Sequence, residues 1–155
     1  MFDGAESFND WYHDSSRSER VELALVMEEG ENGAYVFDNA AFFPLDGLGY
    51  KDRDENGHNY LFTTEVHLEF VYYGGEEFTF RGDDDLWIFV DGKIALDLGG
   101  MHWPFQGTIV FDELGLTQNQ SYHMDIFHAE RHTSASNFRI ETNIECFTSF
   151  IPEVE

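Results

Sequence analysis

The chain has 155 residues, and its 8 Lys and Arg stand against 31 Asp and Glu for a formal net charge of -23. A surface this negative repels phosphate backbones and anionic lipid headgroups, which argues against nucleic-acid binding and membrane attachment. The one cysteine, Cys146, excludes an internal disulfide, a CxxC redox pair and a cysteine-built zinc cluster.

The length fits one domain spanning 1–155, and 16 Phe, 7 Tyr and 3 Trp supply a core without cross-links. The opening residues, MFDGAESFNDWYHD, have neither a basic region nor an apolar stretch. Nowhere does an apolar run approach the roughly 18 residues of a membrane span. The expectation is a soluble chain with no membrane insertion, any export signal lying upstream.

In chain order, Phe8, Trp11 and Tyr12 fall at i, i+3 and i+4, which predicts a short N-terminal helix over 7–13 that caps the fold. Runs rich in aromatic and β-branched residues then predict strands at 21–27, 35–37, 66–73, 77–81, 86–90, 94–98, 108–111, 121–127 and 138–144. Alternation supports them: Val66, Leu68, Phe70 and Tyr72 share one face while His67 and Glu69 point the other way. Gly74-Gly75 marks a tight turn, and Asp91-Gly92 suits a two-residue hairpin between WIFV and KIAL. The predicted architecture is an all-β, antiparallel, jelly-roll-like β-sandwich with long loops at one end. Trp11, Phe42, Phe43, Trp87 and Phe89 are expected in its core.

Three clusters could carry chemistry. Asp52-Arg53-Asp54-Glu55-Asn56-Gly57 reproduces the first six positions of a calcium loop, but Thr63 stands where a bidentate Glu belongs. Asp52, Asp54 and Asn56 are thus a possible second calcium site or a solvated turn. Asp83, Asp84 and Asp85 follow Gly82 and precede the strand LWIFV; adjacent carboxylates repel unless something positive sits among them, and hard oxygen ligands favour Ca²⁺. A solvated acidic turn is the competing reading. The loop after YHMDIF offers His128, Glu130, Arg131, His132 and Asn137, able to bind a polyol or complete a metal site. The His128 and His132 spacing lacks the HExxH order of a zinc hydrolase. His102 and Trp103 sit in a Gly/Pro-punctuated loop where the indole is either tucked in or offered to a ligand. No GxSxG elbow, P-loop or dinucleotide fingerprint occurs.

With GDDDLWIFVDGKIALDLGGMH and HAERHTSASNFRIET in view, the sequence resembles the fibro-slime domain family, within the β-sandwich superfamily named after a domain of anthrax protective antigen. The likeness covers essentially the whole chain, from Phe8-Asn9-Asp10-Trp11 through Phe42-Phe43-Pro44-Leu45-Asp46-Gly47 and His58-Asn59-Tyr60-Leu61-Phe62 to Asn137-Phe138-Arg139-Ile140. Such domains look like extracellular modules of larger bacterial or slime-mould surface proteins, and relatives include calcium-dependent sugar-binding domains of adhesins.

In those lectins a cis-linked Asp-Asp pair coordinates calcium, and vicinal sugar hydroxyls complete its shell. The resemblance implies that Asp83 and Asp84 are this pair, with Asp85 at a glycine-like position of the pattern. A second loop, supplying an Asn, corresponds by strand order to 128–137, which makes Asn137 and Glu130 the candidate ligands there. The function implied is a non-enzymatic, calcium-dependent carbohydrate-binding module of an extracellular or cell-surface adhesin, with His102, Trp103, His128, Arg131 and His132 around the glycan. The alternative is a calcium-stabilised peptide- or protein-binding or structural module, and a metal-dependent glycosidase ranks third.

Overall fold

The computed structural model describes residues 8–13, 15–16, 18–48, 57–131 and 135–152. Two five-stranded antiparallel sheets face each other. One has strands β1 (Glu28–Glu29), β2 (Tyr35–Asn39), β9 (Phe138–Thr142), β4 (Glu77–Gly82) and β7 (Phe105–Val110), in that spatial order. The other has β10 (Phe147–Phe150), β3 (Phe62–Tyr72), β8 (Gln120–Glu130), β5 (Asp85–Val90) and β6 (Lys93–Leu98). Period-two alternation builds both inner faces. Leu68, Phe70 and Tyr72 on β3, Met124 and Ile126 on β8, and Leu86, Ile88 and Val90 on β5 are buried against Phe78, Phe80, Ile109, Phe138 and Ile140 of the other sheet. Phe42 joins them from a loop, its ring 4.6 Å from Phe138.

The expected hairpin is present. Asp91 and Gly92 both take positive φ, 48° and 69°, and join Val90 to its partner Lys93, the two left-handed residues of a turn whose twist matches its strands. Gly74 and Gly75, at φ 103° and 84°, do something else: they carry the chain from one sheet to the other. Glu76 holds that crossover by accepting the Tyr73 and Gly74 amides at 2.6 and 2.7 Å.

Several expectations need correction. Residues 21–27 form no strand; Leu25 and Met27 pack on the core, so their alternation reflects one packed side rather than a ladder. Of the expected N-terminal helix over 7–13, Phe8 and Asn9 are helical, a turn follows at Asp10 with the Trp11 amide on the Phe8 carbonyl at 3.1 Å, and residues 11–13 are bends; residue 7 lies outside the described residues. Strands β1 and β10 were outside the expected set. Of the five aromatics expected in the core, Phe42 is buried and Trp11, Phe43, Trp87 and Phe89 are half-buried. Trp87 and Phe89 face outward, where Phe8 and Phe127 lie against them.

Candidate metal and ligand site

Register brings the two polar segments to one end of the sandwich. Asp85 at the start of β5 pairs with Ala129 near the end of β8, while Gly82, ending β4, pairs with Phe138, starting β9. The loop linking β4 to β5 therefore faces the loop linking β8 to β9, and the loop between β6 and β7 opens at the same end.

Gly82 permits this approach by lacking a side chain. A Cβ there would lie 2.4 Å from the Asn137 carbonyl oxygen and 2.7 Å from the Phe80 ring. Gly82 does not take positive φ, so it is the missing side chain and not a left-handed backbone that the position requires.

Beyond Gly82, Asp83 and Asp84 are joined by a cis peptide bond. Asp83 is 5% exposed, Asp84 2%, Asp85 3% and Glu130 1%. The Asn137 backbone amide donates to Asp83 Oδ1 at 2.5 Å and its side-chain Nδ2 donates to Oδ2 at 2.9 Å. The Arg131 amide donates to Asp84 Oδ2 at 3.1 Å. Asp83, Asp84 and Asn137, singled out separately in the sequence, are thus neighbours.

Asp85 has another task. The Arg131 Nε donates to its Oδ2 at 2.5 Å and the Gly100 amide to its Oδ1 at 2.6 Å. Both oxygens are held by protein donors, so the carboxylate acts as a brace between β8 and the loop carrying Trp103. Arg131 in turn lies 5.5 Å from the Trp11 ring centroid, a cation–π contact. Its expected place as a ligand-facing cation is taken by this internal pairing.

His128 also departs from its expected place at the ligand surface. It is buried among Phe42, Phe62, Phe80 and Phe138. Burial pushes its pKa down to about 4, overcoming the opposing influence of the Asp83 carbonyl and carboxylate and of Asp85. The ring is neutral at physiological pH. Its Nε2 lies 2.8 Å from the Asp83 carbonyl, which can only accept, so the single proton sits on Nε2. His128 supports the Asp83 backbone from beneath. His102 is half-buried, its ring nitrogens 2.9 and 2.8 Å from the Trp103 and Leu98 carbonyls, which fixes the loop. Trp103 is 78% exposed and stands free of the core. His132, Asp52, Asp54 and Asn56 lie outside the described residues.

Tyr12 and Thr63, neither of them among the expected ligand residues, help build the site. The Tyr12 hydroxyl donates to the His128 carbonyl at 2.7 Å, and Thr63 Oγ1 donates to the Trp11 carbonyl at 2.7 Å. The N-terminal segment is thereby pinned beside the end of β8. Burial, aided by the charges of Asp85 and Glu65, keeps the Tyr12 phenol protonated far above its ordinary range.

The donor set suits a hard cation. Carboxylate and amide oxygens are calcium ligands, and a carboxylate has about four lone-pair sites, so the two donors on Asp83 leave capacity for an ion. Among the described residues no three His, Cys, Asp or Glu side chains come together as a metal group. Holding calcium would therefore fall to Asp83 and Asp84 with amide or carbonyl oxygens of the facing loop, a mixture calcium accepts within its six to eight oxygens.

Fold and site together define an antiparallel β-sandwich with buried carboxylates presented at one end by two facing loops. Three proteins of Dictyostelium discoideum are similar over most of this chain. Protein psiC is 43% identical over 148 residues, covering 89% of this chain and 29% of its own length. Protein psiJ is 37% identical over 157 residues, covering 90% and 22%, and protein psiD 38% over 146, covering 89% and 29%. The chain thus spans less than a third of these relatives. No protein-family model matches it, and no solved structure does either. Among the described residues no helix is long and apolar enough to cross a membrane.

Proposed function

We propose that the chain is a calcium-dependent carbohydrate-binding module of a longer extracellular or cell-surface protein, of the fibro-slime type within the protective-antigen-like superfamily. The observation that carries this reading is the burial of Asp83, Asp84 and Glu130 at one end of the sandwich, where Asn137 and Arg131 of the facing loop orient the first two. Buried carboxylates of like charge raise one another's energy, and a divalent cation among them relieves it. Calcium, when bound, supplies coordination positions for adjacent sugar hydroxyls. The protein's part is to hold the carboxylates converged, exclude water beneath them with the Phe cage around His128, and offer Trp103 as a stacking face at the rim. Linkage of the Trp103 loop to Asp85 through the Gly100 amide supports its assignment to the same site. The greater length of the psi proteins supports the modular part of the reading.

A single shallow site of this kind binds weakly, and repetition on a parent protein raises its avidity. A glycan array probed in saturating calcium and again in chelator tests the proposal. Binding confined to the calcium arm is expected; no glycan bound in saturating calcium sinks it.

A second reading is favoured by one observation. His102 Nε2, His128 Nε2 and Arg131 Nε are engaged by acceptors within the protein, whereas Met101, Trp103 and Phe105 are exposed. Such a rim also suits a protein or peptide ligand, with calcium acting to stiffen the loops. Peptide capture that survives substitution of the 128–137 loop would select this alternative.

A further inference from the structure

Away from that site, residues 18–27 cross an apolar cavity of about 960 Å³ that opens beside β3 and β10. Its floor includes Leu68, Met124, Ile126 and Ile144, each at most 5% exposed. The cavity therefore reaches from the covering segment down to the core. That segment joins no sheet; Leu25 and Met27 pack inward, while Leu23 is 52% and Val26 70% exposed. Exposed Phe147, Phe150 and Ile151 continue the apolar surface around the mouth. A contiguous apolar surface joined to a cavity in the range of about 300–1,000 Å³ has the size and lining of a small-ligand site.

Charge at the mouth selects the ligand. Among the described residues at the mouth, Arg20 and His67 lie 3.9 and 3.3 Å from Glu65, and His67 also meets Asp125 at 2.8 Å. His13 is turned to the Asn9 carbonyl. Glu19 and Glu22 line the cavity and are exposed on the covering segment, so the described residues of the rim carry an excess of acid on a chain of net charge -23. An anionic head group meets repulsion there, and a cationic one meets attraction. We propose that the cavity takes the tail of a free single-chain alkylammonium amphiphile, with its head group at Glu19 and Glu22. The cavity shares Trp11, Tyr12 and Thr63 with the support of the carboxylate loops, but Asp83, Asp84 and Asn137 do not line it, and the binding proposed needs no calcium.

Calorimetric titration with decyltrimethylammonium and with decanoate, each below its micelle concentration and in chelator, tests this. The expected result is saturable binding of the ammonium at one molecule per chain, a higher melting temperature because the ligand favours the folded state, and weaker binding of decanoate. The double variant Glu19→Lys, Glu22→Lys changes exposed residues only, and it should reverse the preference between the two head groups. Three results would overturn the proposal: no saturable binding, a fall in melting temperature with the ammonium, or equal binding of both head groups unaffected by the charge reversal.

Discussion

Asn137 grips both carboxylate oxygens of Asp83, with its backbone amide at 2.5 Å and its side-chain amide at 2.9 Å. One residue of β9's approach thus orients one residue of β5's approach across the end of the sandwich. Asn137→Ala keeps the backbone bond and deletes the side-chain bond to a charged acceptor. The expected loss is about 1.5–3 kcal/mol of unfolding free energy, the range for hydrogen bonds to charged groups. Urea unfolding at neutral pH should show a lower midpoint with an unchanged slope; an unaltered midpoint would mean the grip contributes nothing.

Replacing Asp83 and Asp84 together with Asn retains oxygen atoms but removes two negative charges from the proposed calcium site. Calcium affinity depends on ligand charge, and a ligand that binds only the folded state raises its melting temperature. The wild-type protein should melt higher with calcium and lower with chelator, and the double variant should respond less. Other acidic positions contribute background, so the comparison is between proteins. Equal calcium shifts in the two would remove this loop from the site.

His67 gives a pH dependence of known sign. Its Nδ1 lies 2.8 Å from Asp125 and its Nε2 3.3 Å from Glu65. The bond to Glu65 is the largest cause raising the imidazole pKa above its ordinary value, helped by Asp125 and opposed by burial. In a group whose folded pKa is raised, the stabilisation is complete below the unfolded value near 6.5 and is lost as pH climbs through the folded value. The stability gap between wild type and His67→Gln should therefore be larger at pH 6 than at pH 9. Measured unfolding free energies with the same gap at both pH values would refute the assignment.

Two glycine substitutions separate strain from collision. At Gly92 a Cβ meets nothing within 4 Å, but φ is +69°, so Gly92→Ala should cost about 1–2 kcal/mol from backbone conformation alone and leave calcium binding intact. At Gly82 the Cβ would strike the Asn137 carbonyl. Gly82→Ala should push the two loops apart, lowering stability and calcium response together. A Gly82→Ala protein whose calcium response equals that of Gly92→Ala would show that the close approach is not needed.

Much of this arrangement was legible in the residues. Period-two alternation identified the inner face of β3, because a pleated strand must bury alternate side chains wherever one side is wet; on β5 the large rings of Trp87 and Phe89 pointed to the wrong face, since Leu86, Ile88 and Val90 are the buried ones. The Asp91-Gly92 hairpin was readable for the same local reason: two consecutive left-handed residues are cheapest with Gly and Asp. The polar runs at 82–85 and 128–137 stood out because carboxylates and amides are rare beside core strands.

Segment 21–27 alternates like a strand yet pairs with nothing, since alternation records which side is packed and carries no information about a hydrogen-bonding neighbour. That Gly74-Gly75 changes sheets depends on Glu76 and on packing far away in sequence. His128, Arg131 and Asp85 read as solvent-facing ligands, but the Phe cage, Trp11 and Gly100 that occupy their polar atoms or surround their rings come from distant parts of the chain. Composition and local pattern determine which residues must be buried and where the backbone must turn, because those preferences act within a few residues. Which carboxylate meets Asn137 and which meets Arg131 was decided by β-sheet register, a property of strands brought together only when the whole core closes.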